Sequence, residues 1–160
     1  MVNKSGFSLI ELTVVIGLLS LLILAISSSM LMTIISSNRI RNVAKVKQAG
    51  NFALGQMQGM IRSAKTIVSC DSTTNNITIL NFDGGTTNFL VEGNRIASNS
   101  GVYITPDTMT TNTYVLTCSP SDTDPTLVNV SFNLMDAAVT KKAHENPTLH
   151  FETSISLRNQ

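Results

Sequence analysis

Hydrophobic and polar positions divide this chain into three regimes. From Phe7 to Ile35 nearly every residue is apolar or small, and the run holds a single charge, Glu11. A stretch of this kind is apolar on every side of a helix and longer than the roughly 20 residues that a bilayer-spanning helix needs. Beyond Arg39 the pattern turns one-sided. Val43, Val46, Gly50, Leu54, Met57, Ile61, Ala64 and Val68 recur at three- and four-residue steps, while Lys45, Lys47, Gln48, Gln56, Arg62 and Lys65 take the other face. No proline interrupts residues 7–68, so the two regimes predict one continuous helix whose outer part offers a stripe to a sheet.

After Cys70 the period changes to two. Val128, Val130, Phe132 and Leu134 alternate with polar residues, as do Leu149, Phe151, Ile155 and Leu157, and these are the clearest strands. Weaker strand patterns cover residues 76–82, 87–92, 102–105 and 112–118, separated by turn formers such as Asp83-Gly84-Gly85 and Glu92-Gly93-Asn94. The expected fold is α+β: a long N-terminal helix packed against one antiparallel sheet. Glycines at 17, 50, 55 and 59 and the triplet Ser27-Ser28-Ser29 are the weak points of the helix.

Composition adds little until charge is mapped along the chain. Charged residues are 13% of the total and the net charge is +1, yet Arg39, Arg41, Lys45, Lys47, Arg62 and Lys65 form a stretch without one acid, and nine of the ten acids follow it. Anionic lipid headgroups, acidic surfaces of a neighbouring protein, and a merely solvated helix face are all open readings of that stretch. Nucleic acid is disfavoured, because basic residues are not interleaved with aromatics and the acidic remainder would repel a phosphate track. Positive charges counted around the apolar run place the C-terminal side in the cytoplasm.

The charge inside the apolar run is the most specific feature. A carboxylate within a spanning segment costs about 2.5–3.5 kcal/mol on insertion scales, so it is retained for a partner. It belongs to the string Lys4-Ser5-Gly6-Phe7-Ser8-Leu9-Ile10-Glu11-Leu12: basic leader, glycine, aromatic, acid, apolar run. This string resembles the processing and assembly signal of type IV pilins and type II secretion pseudopilins. The resemblance implies cleavage between Gly6 and Phe7 by a prepilin peptidase, N-methylation of Phe7, and pairing of Glu11 with the N-terminal amine of an adjacent subunit during assembly. It also implies a single-pass anchor in the cytoplasmic membrane with the head outside, the reverse of the charge count, and later residence in a pilus or pseudopilus. Implied partners are the peptidase, other pilin or pseudopilin subunits, an inner-membrane assembly platform and membrane lipid. An ordinary secretory signal, with Ala25 and Ser27 near its cleavage site, and a plain signal anchor are the competing readings.

On this reading the chain divides into a leader (1–6), a transmembrane and filament-core helix (7–35), an amphipathic continuation (36–69) and a β-rich head (70–160). The only cysteines, Cys70 and Cys118, would meet an oxidising compartment in an exported head, where a disulfide is expected and two buried thiols are the alternative. Asp122 and Asp124 supply hard oxygen ligands in a loop and are calcium candidates, against which stands simple turn formation. His144, Glu145, His150 and Glu152 are separated by Pro147 and lack a third nitrogen or a free thiol, so zinc is not expected. No nucleophile, phosphate-loop or paired-carboxylate signature is present, and neither enzymatic activity nor a cofactor is expected. The function expected is that of a structural subunit, a minor pilin or pseudopilin; a membrane-anchored adhesion or binding module that does not polymerise is the alternative.

Overall fold

A computed structural model of the chain describes residues 8–99, 101–123, 125–138 and 146–156. The element order is α1 (Leu9–Arg62), β1 (Thr66–Asp71), β2 (Asn76–Leu80), β3 (Thr86–Glu92), β4 (Arg95–Ala97), β5 (Met109–Ser119), β6 (Leu127–Asp136) and β7 (Leu149–Ser156). The chain falls into two compact units, divided between Asn38 and Arg39. In the first, α1 is exposed along its described length as far as Ser36.

The second unit is the α+β part, and its strands form two antiparallel sheets where one was expected. β1–β2–β3–β4 make a four-stranded sheet and β5–β6–β7 a three-stranded one, each in sequence order. Alternation along single strands places residues on faces; it does not say which strand leaves a sheet, and that is why the split was not visible in the sequence. Asn42, Val46, Gly50, Ala53, Met57 and Ile61 are the buried positions of α1. Of these, Val46, Ala53, Met57 and Ile61 join Ile77, Ile79, Phe89, Leu116, Phe132 and Ile155 in one core. Burying Val46, Met57 and Ile61 completely contributes about 1.5–3 kcal/mol each.

The helix is shorter than its apolar stripe suggested. It ends at Arg62, Lys65 donates its amide to the Leu80 carbonyl, and residues 66–71 are strand β1. The run Thr66-Ile67-Val68 is β-branched and suits a pleated surface better than a helix. Val68, which fits the helical period, is the extra residue of a bulge between Ile67 and Ser69, and its side chain is exposed. A second bulge, between Thr111 and Thr113, shifts the inward positions of β5 from Met109 and Thr111 to Leu116 and Cys118. Residues 102–105 are not a strand. Tyr103 makes an isolated bridge to Ala97, and Thr105 fills a buried corner where its hydroxyl accepts the Ile96 amide. The short strand β4 was missed; it pairs with β3 through Gly93 and Asn94, whose φ values of 56° and 59° suit a two-residue hairpin turn.

At Gly50, α1 lies close against Phe151 of β7. A Cβ there would clash with the tip of the Phe151 ring, which stacks on its register partner Phe132 with centroids 5.4 Å apart. Gly55 and Gly59 face open space. The three glycines therefore separate by sign. Gly50→Ala forces the stacked pair aside and should lower the unfolding free energy by about 1–3 kcal/mol, whereas Gly55→Ala and Gly59→Ala should raise it by up to about 1 kcal/mol each through helix propensity. Chemical denaturation of the three variants checks this, and stabilisation by Gly50→Ala would remove the close-approach argument.

Candidate functional site

Two places bear on function: the start of α1 and the junction of the two sheets. At the first, the Ser8 carbonyl accepts the amides of Glu11 and Leu12, so the helix begins immediately before Leu9. Glu11 lies in the first turn, where a carboxylate complements the partial positive charge of the orphan amides. Its side chain is exposed and has no partner among the described residues. Gly6 and Phe7 lie outside the described residues.

The helix beyond Glu11 keeps its polar atoms to itself. Ser20, Ser27, Ser28 and Ser29 each donate a hydroxyl to the carbonyl four residues back, at 2.7–3.1 Å, and Thr33 does likewise at 2.9 Å. These bonds satisfy every one of those hydroxyls without solvent. The triple serine is thus compatible with an apolar surrounding, and α1 runs through it unbroken. Leu9 through Ile35 present exposed large apolar side chains along this part of α1, and the helix is long and apolar enough to cross a membrane.

At the sheet junction Cys70 of β1 and Cys118 of β5 form a disulfide with Cα atoms 6.5 Å apart. Cys70 therefore sits on a strand, not at a helix end. The adjoining turn, residues 72–75, fastens itself to the free edge of β5. Ser72 Oγ accepts the Cys118 amide at 3.2 Å and Asn75 Oδ1 accepts the Leu116 amide at 3.0 Å. Asp122 in turn accepts the Ser72 hydroxyl at 2.6 Å and the Ser72 amide at 3.2 Å. The turn itself is shaped by Asp71, which accepts the amides of Thr73 and Thr74 and the Thr74 hydroxyl. Hydrogen bonds from Thr74, then Thr73, hold the Asp71 carboxyl below its ordinary range.

This geometry bears on the metal candidates. Both Asp122 oxygens already serve Ser72, and Asp124 lies outside the described residues. Asp122 also approaches Cys70 and Cys118 closely enough to resemble a three-ligand cluster, but sulfurs joined to each other supply no thiolate. His150 contacts Asn133 Oδ1 at 2.8 Å and Glu152 at 3.4 Å on an exposed strand face; His144 and Glu145 are outside the described residues. One further feature escaped the sequence: a groove of about 750 Å³ bordered by Lys45, Phe52, Arg95, Tyr103 and Met109. Arg95 lies 3.9 Å over the Tyr103 ring while donating to the Thr105 carbonyl. Only the exposed aromatic Phe52, on the polar side of the helix, hinted at it.

Residues 1–27 match the family model described as the prokaryotic N-terminal methylation motif, the signature of type IV pilins and pseudopilins. The matched segment is the start of the chain through Ser27, including Gly6, Phe7 and Glu11, and a motif of this kind points to a structural role. No curated protein and no solved structure matches the chain.

The disulfide closes a segment with a sequence separation of 48. Replacing both cysteines by serine should lower the unfolding free energy by about 4 kcal/mol on the chain-entropy model. Denaturant titration of the oxidised and variant proteins measures the difference, and equal midpoints would show that the side-chain bonds of residues 72–75 hold the sheets together alone.

Proposed function

We propose that this chain is a structural subunit, a minor pilin or pseudopilin, of a type IV pilus or a type II secretion-like filament. A prepilin peptidase removes Met1 to Gly6, Phe7 becomes the methylated N-terminus, and the apolar part of α1 anchors the subunit in the cytoplasmic membrane before assembly. The head lies outside, and the assembly platform and other subunits draw the helix into a filament core. The observation that carries this reading is the coincidence of the methylation motif with a helix that is apolar on all sides, unbroken, and charged only at Glu11 up to Asn38.

Each step has a physical reason. A glycine before the cleaved bond lets a peptidase approach the backbone closely. The released amine carries a positive charge into a low-dielectric filament core, and Glu11 of a neighbouring copy neutralises it. Such a pair is held firmly chiefly because either charge left alone there is costly. The serines that bond back to their own helix let α1 move from lipid to a core of packed helices without an unsatisfied hydroxyl.

Cleavage is tested by mass spectrometry of the mature N-terminus in cells with an active prepilin peptidase. A mass beginning at Phe7 with one added methyl group is expected, and Gly6→Val should abolish processing. A mature chain beginning near Ser28, or an intact one, would refute the proposal in favour of a secretory signal or a plain anchor.

Assembly is tested by Glu11→Leu. The variant should be processed and retained in the membrane with a folded head, yet its recovery in sheared filaments or crosslinked pseudopili should fall by at least about tenfold, since breaking a buried ion pair costs about 3–5 kcal/mol. Recovery at the wild-type level would end the pairing role. A wild-type chain that is cleaved but never enters a filament would be the anchored binding module instead.

A further inference from the structure

The basic residues that follow the apolar run are not arranged as a face. Arg39, Arg41, Lys45 and Lys47 are all exposed, and none pairs with an acid among the described residues. At 3.6 residues per turn they stand at about 0°, 200°, 240° and 80° around the axis of α1. They form an open collar with two gaps of about 120°, one of which holds the sector where Asn42 and Val46 are buried. A protein partner docks on one side of a helix and would select charges on that side. A plane of headgroups meets a helix on every open side at once.

The position along the chain agrees. Arg39 follows Ile35, the end of the apolar run, by four residues, with only Ser36, Ser37 and Asn38 between. From Arg39 to Lys47 the helix rises about 12 Å, comparable to a headgroup layer of roughly 5–8 Å extended by part of a Debye length. The long stems of arginine and lysine can lie along apolar surface while their heads reach phosphate. No acid occurs from Leu12 to Cys70, so no carboxylate of the helix beyond its first turn competes for these cations.

We infer that Arg39, Arg41, Lys45 and Lys47 form a collar that binds anionic phospholipid headgroups and fixes the depth at which the unassembled subunit sits in the membrane. The inference rests on the membrane-anchor reading above. It also gives the positive charges beyond the apolar run a task of their own, where counting them for orientation alone gives the opposite topology. Leaving the membrane for a filament would then require the collar to shed its lipids, so the anionic content of the bilayer sets a brake on subunit extraction.

The test uses the full chain reconstituted in phosphatidylcholine vesicles containing trace spin-labelled phosphatidylglycerol or spin-labelled phosphatidylcholine. The motionally restricted fraction of each probe reports lipid selectivity. Phosphatidylglycerol should be preferred by roughly threefold or more at low salt, and the preference should weaken as salt is raised. Arg39→Gln, Arg41→Gln, Lys45→Gln and Lys47→Gln combined should bring the ratio close to one with the far-UV spectrum unchanged. Arg62→Gln with Lys65→Gln, further along the chain, should leave the preference in place. Undiminished selectivity in the fourfold variant, an equal loss in the Arg62 and Lys65 variant, or no selectivity in the wild type would each overturn the collar. If the fourfold variant instead kept its lipid preference and lost self-association, the partner would be an acidic surface on another subunit. Flotation after an alkaline wash separates the two levels of the argument: a wild-type chain that does not float with the vesicles overturns the anchor reading, and the collar with it.

Discussion

One helix has to satisfy two different surroundings, and most of the structure follows from that demand. Up to Ile35, α1 carries apolar side chains on every side, and the described part of the chain leaves them exposed. Past Arg39 the same helix places only a narrow series of small and apolar residues, from Val46 to Ile61, against two sheets. A backbone that hydrogen-bonds entirely within itself serves in both settings, since neither lipid nor a packed core supplies partners for stray amides and carbonyls. What changes along α1 is therefore side-chain chemistry alone. The serines in the first part extend this economy to their hydroxyls by bonding to the preceding turn.

The head faces the problem of a small domain, which must stabilise two separate sheets with one modest core. Its solution is concentrated where β1 approaches β5. An uncovered edge strand exposes amides that could recruit another chain. Here the Leu116 and Cys118 amides of β5 are taken by Asn75 and Ser72, and Cys118 also carries the disulfide to Cys70. Side chains of a turn thus do what a further strand would do, while leaving the two sheets distinct. Asp122 supports the arrangement through Ser72, so the acidic loop that offered itself as a cation site is an integral part of the clasp.

The helix, the clearest strands and the bridge between the cysteines were legible in the sequence because each rests on local period or on residue type. The α+β class followed from them. The misreadings have a common origin in contacts that local pattern cannot encode. Val68 keeps step with the helical stripe, yet the β-branched run around it and its pairing with β2 turn it into a bulge. The expected strand at 102–105 has apolar residues in the right number, but the Thr105 carbonyl accepts the Arg95 guanidinium and the Thr105 hydroxyl the Ile96 amide. Gly50 was correctly placed on the stripe; its reason, the Phe151 ring, comes from a strand far along the chain. The N-terminal motif lies at the other extreme. Its residue types and spacing carry the reading without any tertiary contact, and the geometry of Glu11 adds only that the carboxylate has no partner among the described residues.

That last fact connects the two ends of the helix's charge pattern. Glu11 is the only acid before Asp71, and the basic collar begins after the apolar run has ended. In water neither feature has a purpose, since an exposed helix gains little from isolated charges. In the proposed setting their asymmetry becomes sensible. A single acid inside the apolar run is costly in lipid and is relieved by the amine of another copy, whereas cations at the headgroup level are favoured in anionic lipid and lose that partner when the subunit leaves. The first charge draws α1 toward assembly and the second set holds it back. A subunit poised between membrane and filament needs both, because with the acid alone it would have little reason to wait in the bilayer, and with the collar alone little reason to leave.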